Sequence, residues 1–168
     1  MIALLLQTAP HAAPVAGMGG PRIGSPGSGS VIEKSGDMLL QKMISTNVPK
    51  FVREHFVDEK SGGDISYNIF RPTSASSESR KPLVLFMADA STPGNDVLRP
   101  LIQGYGGLVW ATEEWQAINP CYVLVPQFSG VAVNDNYERS IEVDAVLRLV
   151  RHAAETENVD KDKIYTTG

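Results

Sequence analysis

Apolar and polar positions change rhythm along the chain, and the changes mark its elements. Phe51–Val57 reads as a strand. Asp58-Glu59-Lys60-Ser61-Gly62-Gly63 follows as a turn, with glycines free to take positive φ. Ile65, Tyr67 and Ile69 then alternate with Ser66 and Asn68, the period of a strand with one buried face. Together these predict an antiparallel hairpin, followed by a polar loop from Arg71 to Lys81. Leu83–Met87 and Tyr122–Val125 are unbroken apolar runs bracketed by Pro82 and Pro126. Runs this short suit strands covered on both faces, as in a parallel sheet.

Helical signals fall between the strands. Asp37–Ser45 predicts a short helical turn or docking segment, and Asn95–Gln103 and Thr112–Ile118 predict two short helices. Thr112 is placed to cap, with Glu113 and Glu114 in the first turn, where the helix dipole favours anions. Ser140 caps a longer helix to about Glu157, with Val143, Val146, Leu147, Val150 and Ala154 as its expected buried stripe. Asp144–Arg148 and Arg151–Glu155 have the spacing of i,i+4 ion pairs. After a turn at Asn158–Lys163, Ile164–Thr167 begins another strand. The order predicts an α/β fold: an N-terminal antiparallel hairpin, then parallel strands with crossover helices, in an incomplete sheet.

The 168 residues, 42% hydrophobic and 20% charged, suffice for one globular core and argue against a wholly disordered chain. A net charge of −4 argues against nucleic acid as a partner. The single cysteine, Cys121, excludes an internal disulfide and a Cys-rich zinc site, and His11, His55 and His152 lack metal-ligand spacing. No metal and no cofactor are expected. No apolar run approaches the length needed to span a bilayer. Residues 1–35 read as a leader and linker, rich in Ala, Gly, Pro and Ser. The opening Ile2–Leu6 run raises the alternative of a signal-peptide remnant, so a secreted protein is one reading of the localisation and a cytoplasmic one the other. Gly17–Arg22 misses the G-x-G-x-x-G spacing and receives no phosphate-binding role. Residues 36–168 form the expected domain.

Four stretches in this order resemble the α/β-hydrolase superfamily, in particular its esterases and prolyl-oligopeptidase-like peptidases of the feruloyl-esterase type. Lys81–Ala90 resembles the third strand running into the oxyanion loop. Trp110-Ala111 and Asn119–Gln127 resemble the approach to the fourth strand and that strand. Glu142–Val150 resembles the helix beside the nucleophile strand, and Asp160–Gly168 the fifth strand, which in this family leads into a G-x-S-x-G elbow. The resemblance covers Phe51 to Gly168. It implies a serine hydrolase of carboxylic ester or peptide bonds, acting through an acyl-enzyme on a small substrate. Gly168 would open the elbow, the nucleophile would lie two residues further on, and the acid and histidine would follow it. The resemblance thus implies the front half of the enzyme, inactive as this chain alone. The competing reading, from another class, is a non-catalytic binding or scaffold module, or a pseudogene product, derived from the same fold. A flavodoxin-like nucleotide binder ranks third, because no glycine-rich phosphate loop follows the first parallel strand.

The chemistry the resemblance assigns to this stretch is the oxyanion loop, Ala88–Pro93, with the backbone N–H of Asp89 or Ala90 as donor. Many relatives carry His-Gly where this chain has Ala88-Asp89. An aspartate there either caps the loop or repels a developing oxyanion. His55 and His152 read as surface histidines, since the family's catalytic histidine follows the serine. Cys121 reads as a packed thiol. Trp110 and Trp115 either line a cleft or fill the core, and Asn134-Asp135-Asn136 reads as a turn. In the resembled fold a sixth strand would cover Ile164–Thr167, so that edge is expected to self-associate when left open.

Overall fold

The computed structural model describes Lys34 and residues 36–73 and 79–168. The expected leader, apart from Lys34, and the middle of the loop after Phe70 lie outside the described residues. Five strands form one mixed sheet in the order β1-β2-β4-β3-β5. They are β1 (Phe51–Asp58), β2 (Gly63–Phe70), β3 (Lys81–Phe86), β4 (Tyr122–Pro126) and β5 (Val159–Thr167). The first pair is the antiparallel hairpin, in register from Phe51↔Phe70 to Asp58↔Gly63. Its turn closes on Asp58, which accepts the N–H of Gly62 (2.7 Å) on its carbonyl and that of Ser61 (3.0 Å) on its carboxylate. Gly62 has φ 70°, a conformation that a Cβ would penalise. β2 runs antiparallel to β4, and β3 runs parallel to both β4 and β5.

Helices cover both faces. α1 (Met38–Asn47) is capped by Asp37, whose carboxylate accepts the Leu40 N–H at 2.9 Å. It lies with Leu101 of α2 (Arg99–Ile102) and with Leu108 and Ala111 over Phe51, Phe70, Val84, Phe86, Val123 and Val125. The other face holds α4 (Ile141–Thr156), which packs Val146, Leu149, Val150 and Ala153 on Ile65, Tyr67, Ile69, Leu83, Leu85 and Leu124. β4 is therefore buried on both sides from end to end, the physical reason its sequence is an unbroken apolar run. α3 (Glu113–Ile118) starts at Thr112, which accepts the Trp115 N–H as a side-chain cap.

The fold departs from several of these expectations. The helix expected over Asn95–Gln103 is confined to Arg99–Ile102; Asp96 instead turns the chain by accepting the Leu98 N–H. The buried stripe of α4 runs through Leu149, while Leu147 is exposed, because the i, i+3, i+4 set starting at Val146 (Val146, Leu149, Val150) faces the sheet. Ser140 stands at the N-cap, yet its hydroxyl makes no capping bond. Arg148 forks onto Asp58 of β1 at 2.6 Å through both Nε and an Nη, and Asp144 faces Arg139 at 3.6 Å, so the expected Asp144–Arg148 pairing gives way to long-range partners. Asn68, placed by its alternation on a polar face, is fully buried.

Candidate functional site

The carboxyl ends of β3, β4 and β5 meet at one end of the sheet. Met87, the first residue after β3, donates its N–H to the Thr167 carbonyl at 2.8 Å. Gly168 follows directly, and a Cβ built on it would lie 2.3 Å from the Met87 carbonyl oxygen. Only glycine fits there without moving backbone. From Met87 the chain loops over residues 88–98 before reaching α2.

Two buried amides fasten that loop to the sheet. Gln127, just past β4, points its Nε2 at the carbonyl oxygens of Thr92 (3.0 Å), Gly94 (2.9 Å) and Phe128 (2.8 Å). The Gly94 N–H returns to the Phe128 carbonyl at 2.9 Å, with Gly94 at φ 137°. Asn68 of β2 donates to the Val97 carbonyl at 2.6 Å. Loop carbonyls that burial would strip of water thus keep donors. Neither amide was singled out in the sequence. The available signal was a polar side chain within or directly after a buried strand, where a polar group needs a partner.

Asp89 and Ala90 sit exposed on the loop between these anchors. The Asp89 carboxylate accepts the Ser91 N–H at 2.7 Å and the Ser91 hydroxyl, closing an Asx turn. The Gln103 side-chain amide, with its NH2 turned inward, donates to both Asp89 oxygens at 3.2 Å. The Ser91 hydroxyl beside it holds the Asp89 carboxyl below the usual carboxylate range against the opposing effect of burial; the Ser91 N–H and the charges of Lys34 and Arg99 add to this. Asp89 is thus an ionised loop cap. Among the described residues, no acceptor takes the backbone N–H of Asp89 or Ala90.

The remaining candidates take structural places. His55 on β1 sits near Ser66 Oγ (3.2 Å) and Asp64 (3.4 Å), a serine, a histidine and an aspartate together. Both contacts use Nδ1, however, whereas a catalytic histidine takes the serine proton on one ring nitrogen and is oriented through the other. His152 on α4 lies against the Phe56 ring at 5.3 Å. Cys121 is buried and held by Gln116, and burial pushes its thiol pKa up, which makes it a poor nucleophile. Trp110 and Trp115 meet edge to face at 4.8 Å. They do both things expected of them: they pack on the core and line a cleft of about 680 Å³ with Val84, Ile118 and Tyr165. The cleft lies on the flank of the sheet and includes neither Asp89 nor Ala90. Asn134–Asn136 is a turn. No group of three or more metal-ligating side chains occurs among the described residues.

No family model matches the sequence, and no curated protein does. Solved structures do match. A thermostable esterase superposes with a TM-score of 0.68 at 28% identity, over 73% of this chain and 35% of its own length. The chain has an α/β-hydrolase fold. Its five-stranded mixed sheet and covering helices make up part of that fold. The esterase Est22 (TM-score 0.46, 17% identity) matches over 70% of this chain and 34% of its own. Esterase 2 of Thermogutta terrifontis (0.45, 16%) matches over 70% and 42%. The chain therefore spans about a third of the length of the first two of these α/β-hydrolase-fold esterases. None of the helices among the described residues is long and apolar enough to cross a membrane.

Proposed function

We propose that the chain supplies the oxyanion side of a serine hydrolase of carboxylic esters, with Gly168 as the first glycine of a G-x-S-x-G elbow. The observation that carries this reading is the contact of Gly168 with Met87, which sets the end of β5 against the root of a loop with free backbone N–H groups at Asp89 and Ala90. In the reaction, a serine hydroxyl adds to the ester carbonyl and passes its proton to a histidine. The carbonyl oxygen becomes an anion, and the N–H of Asp89 or Ala90 donates to it. Collapse expels the alcohol, which takes the proton back, and water then releases the acyl group. Serine, acid and histidine of this scheme come from residues following Gly168, so the 168-residue chain by itself is inactive. The match to the thermostable esterase favours esters over the peptide bonds that related folds cleave.

The test is to read the frame past Gly168 and assay both chains with p-nitrophenyl acetate and a fluorophosphonate probe. The longer chain turns over and is labelled, while the 168-residue chain does neither. Ala90→Pro in the longer chain removes one N–H. If Ala90 is the donor, kcat falls by about 10²–10³ with a smaller change in KM. Asp89→Asn keeps the Ser91 turn and removes the charge, so activity on neutral esters is unchanged or raised. A longer chain that contains the elbow yet shows neither signal supports the second reading, a non-catalytic binding module. The ionised Asp89, at a position where many relatives carry glycine, is the observation that keeps this second reading alive.

A further inference from the structure

Thr92 is the one buried residue between Phe86 and Pro100, with 5% of its surface exposed. Both of its donors grip a single acceptor. The Thr92 N–H and the Thr92 hydroxyl donate to the Asp89 carbonyl oxygen at 3.2 and 2.9 Å. The Thr92 carbonyl is held in turn by Gln127 Nε2 at 3.0 Å. Gln127 is itself fixed to the sheet, because its backbone N–H donates to the Ser66 carbonyl of β2 at 2.9 Å. The grip on Asp89 is therefore anchored in β2 and the end of β4, not in the loop alone. A hydroxyl shut away from water needs such a partner, and here the partner is the backbone of the proposed oxyanion loop.

The geometry of the peptide group gives this grip its consequence. The Asp89 carbonyl and the Ala90 N–H belong to one planar trans unit and point in opposite directions. Holding the carbonyl against a buried side chain turns the N–H away from that side chain. Ala90 is exposed, and its N–H meets no acceptor among the described residues. The Asp89 N–H belongs to the preceding peptide, which Thr92 does not hold. The Asp89 carboxylate is engaged with the Ser91 N–H at 2.7 Å. We infer that Thr92, seated on Gln127, is a positioning residue that aims the Ala90 N–H as the oxyanion donor. A donor set in place beforehand stabilises developing charge without reorganising at the moment of reaction. This inference rests on the esterase reading for its reaction.

Thr92→Val tests it, because valine keeps the branched shape and the backbone N–H and removes only the hydroxyl donor. The Asp89 carbonyl retains the Thr92 N–H, so the variant still folds. In the 168-residue chain the heteronuclear NOE of the Ala90 amide falls in Thr92→Val and keeps its parent value in Thr92→Ser. An Ala90 NOE unchanged in Thr92→Val overturns the inference. In a longer chain that hydrolyses p-nitrophenyl acetate, Thr92→Val lowers kcat about tenfold with KM within about twofold, and Thr92→Ser restores it. A double-mutant cycle separates positioning from a general loosening of the fold. Ala90→Pro removes the N–H that Thr92 aims, so adding Thr92→Val to Ala90→Pro lowers kcat no further. The same loss in both backgrounds overturns the inference. A longer chain that contains the elbow yet neither hydrolyses nor takes the fluorophosphonate, while the Ala90 NOE falls, defeats the esterase reading alone. Hydrolysis with kcat unchanged in Thr92→Val defeats the positioning role alone.

Discussion

Gly168 lies against the Met87 carbonyl so closely that a single methyl group would come within 2.3 Å of its oxygen. The Met87 N–H meanwhile donates to the Thr167 carbonyl at 2.8 Å, so the two segments cannot simply slide apart. Gly168→Ala must open the β3–β5 pair at its carboxyl end. Overpacking of this kind costs about 1–3 kcal/mol. Urea unfolding of the 168-residue chain measures it; an unchanged midpoint refutes the close approach.

Gln127 is expected to matter through the carbonyls it serves. Gln127→Leu keeps the volume near constant and leaves the Thr92 and Gly94 carbonyls without their donor. Unpaired buried polar groups cost about 1–3 kcal/mol each. The variant loses stability and exchanges the Gly94 amide faster, which hydrogen-exchange NMR reads directly.

Acid should weaken the junction of hairpin and helix. The Arg148 guanidinium and the Ser61 hydroxyl hold the Asp58 carboxyl well below the usual carboxylate range, against the effect of its burial. A carboxyl depressed in the folded state contributes stability that is fully present above its unfolded value, about 3.9, and is lost as pH falls from there toward the folded value. Tm should therefore drop as pH is taken below about 4. Asp58→Asn lowers Tm at neutral pH and flattens the drop in acid. A parallel displacement of the whole Tm–pH curve would rule Asp58 out as a source of that slope.

The outer edge of β5 has no partner strand among the described residues, and Ile164 and Tyr165 are partly exposed beside the Trp115–Ile118 cleft. Unpaired N–H and C=O groups next to apolar surface favour association. Sedimentation velocity of the 168-residue chain should show concentration-dependent oligomers in the micromolar range, reduced by Thr166→Pro. A single monomer boundary across that range contradicts this.

The sequence alone determined the fold class and most of the elements, although the helix expected over Asn95–Gln103 is only Arg99–Ile102 and the turn expected over Asn158–Lys163 is taken into β5, which starts at Val159. Tyr122–Val125 and Leu83–Met87 are apolar without interruption because strands buried on both faces leave no position for a polar side chain, and that pattern is local. The hairpin and the cap at Thr112 are equally local, each depending on residues within a few positions. The order of those elements, with the residues that resemble hydrolase strands, also pointed to Gly168 and to the Asp89–Ala90 loop. Tertiary structure alone decided what those residues touch. That Asn68 is buried depends on a loop 29 residues away whose Val97 carbonyl accepts its amide N–H. That Arg148 serves Asp58 rather than Asp144 depends on α4 crossing the hairpin, 90 residues distant in sequence. That Gly168 must be glycine depends on β3 and β5 lying side by side. Hydrogen bonds, ion pairs and steric contacts act over a few ångströms of space, and only the completed sheet brings such distant residues within that range.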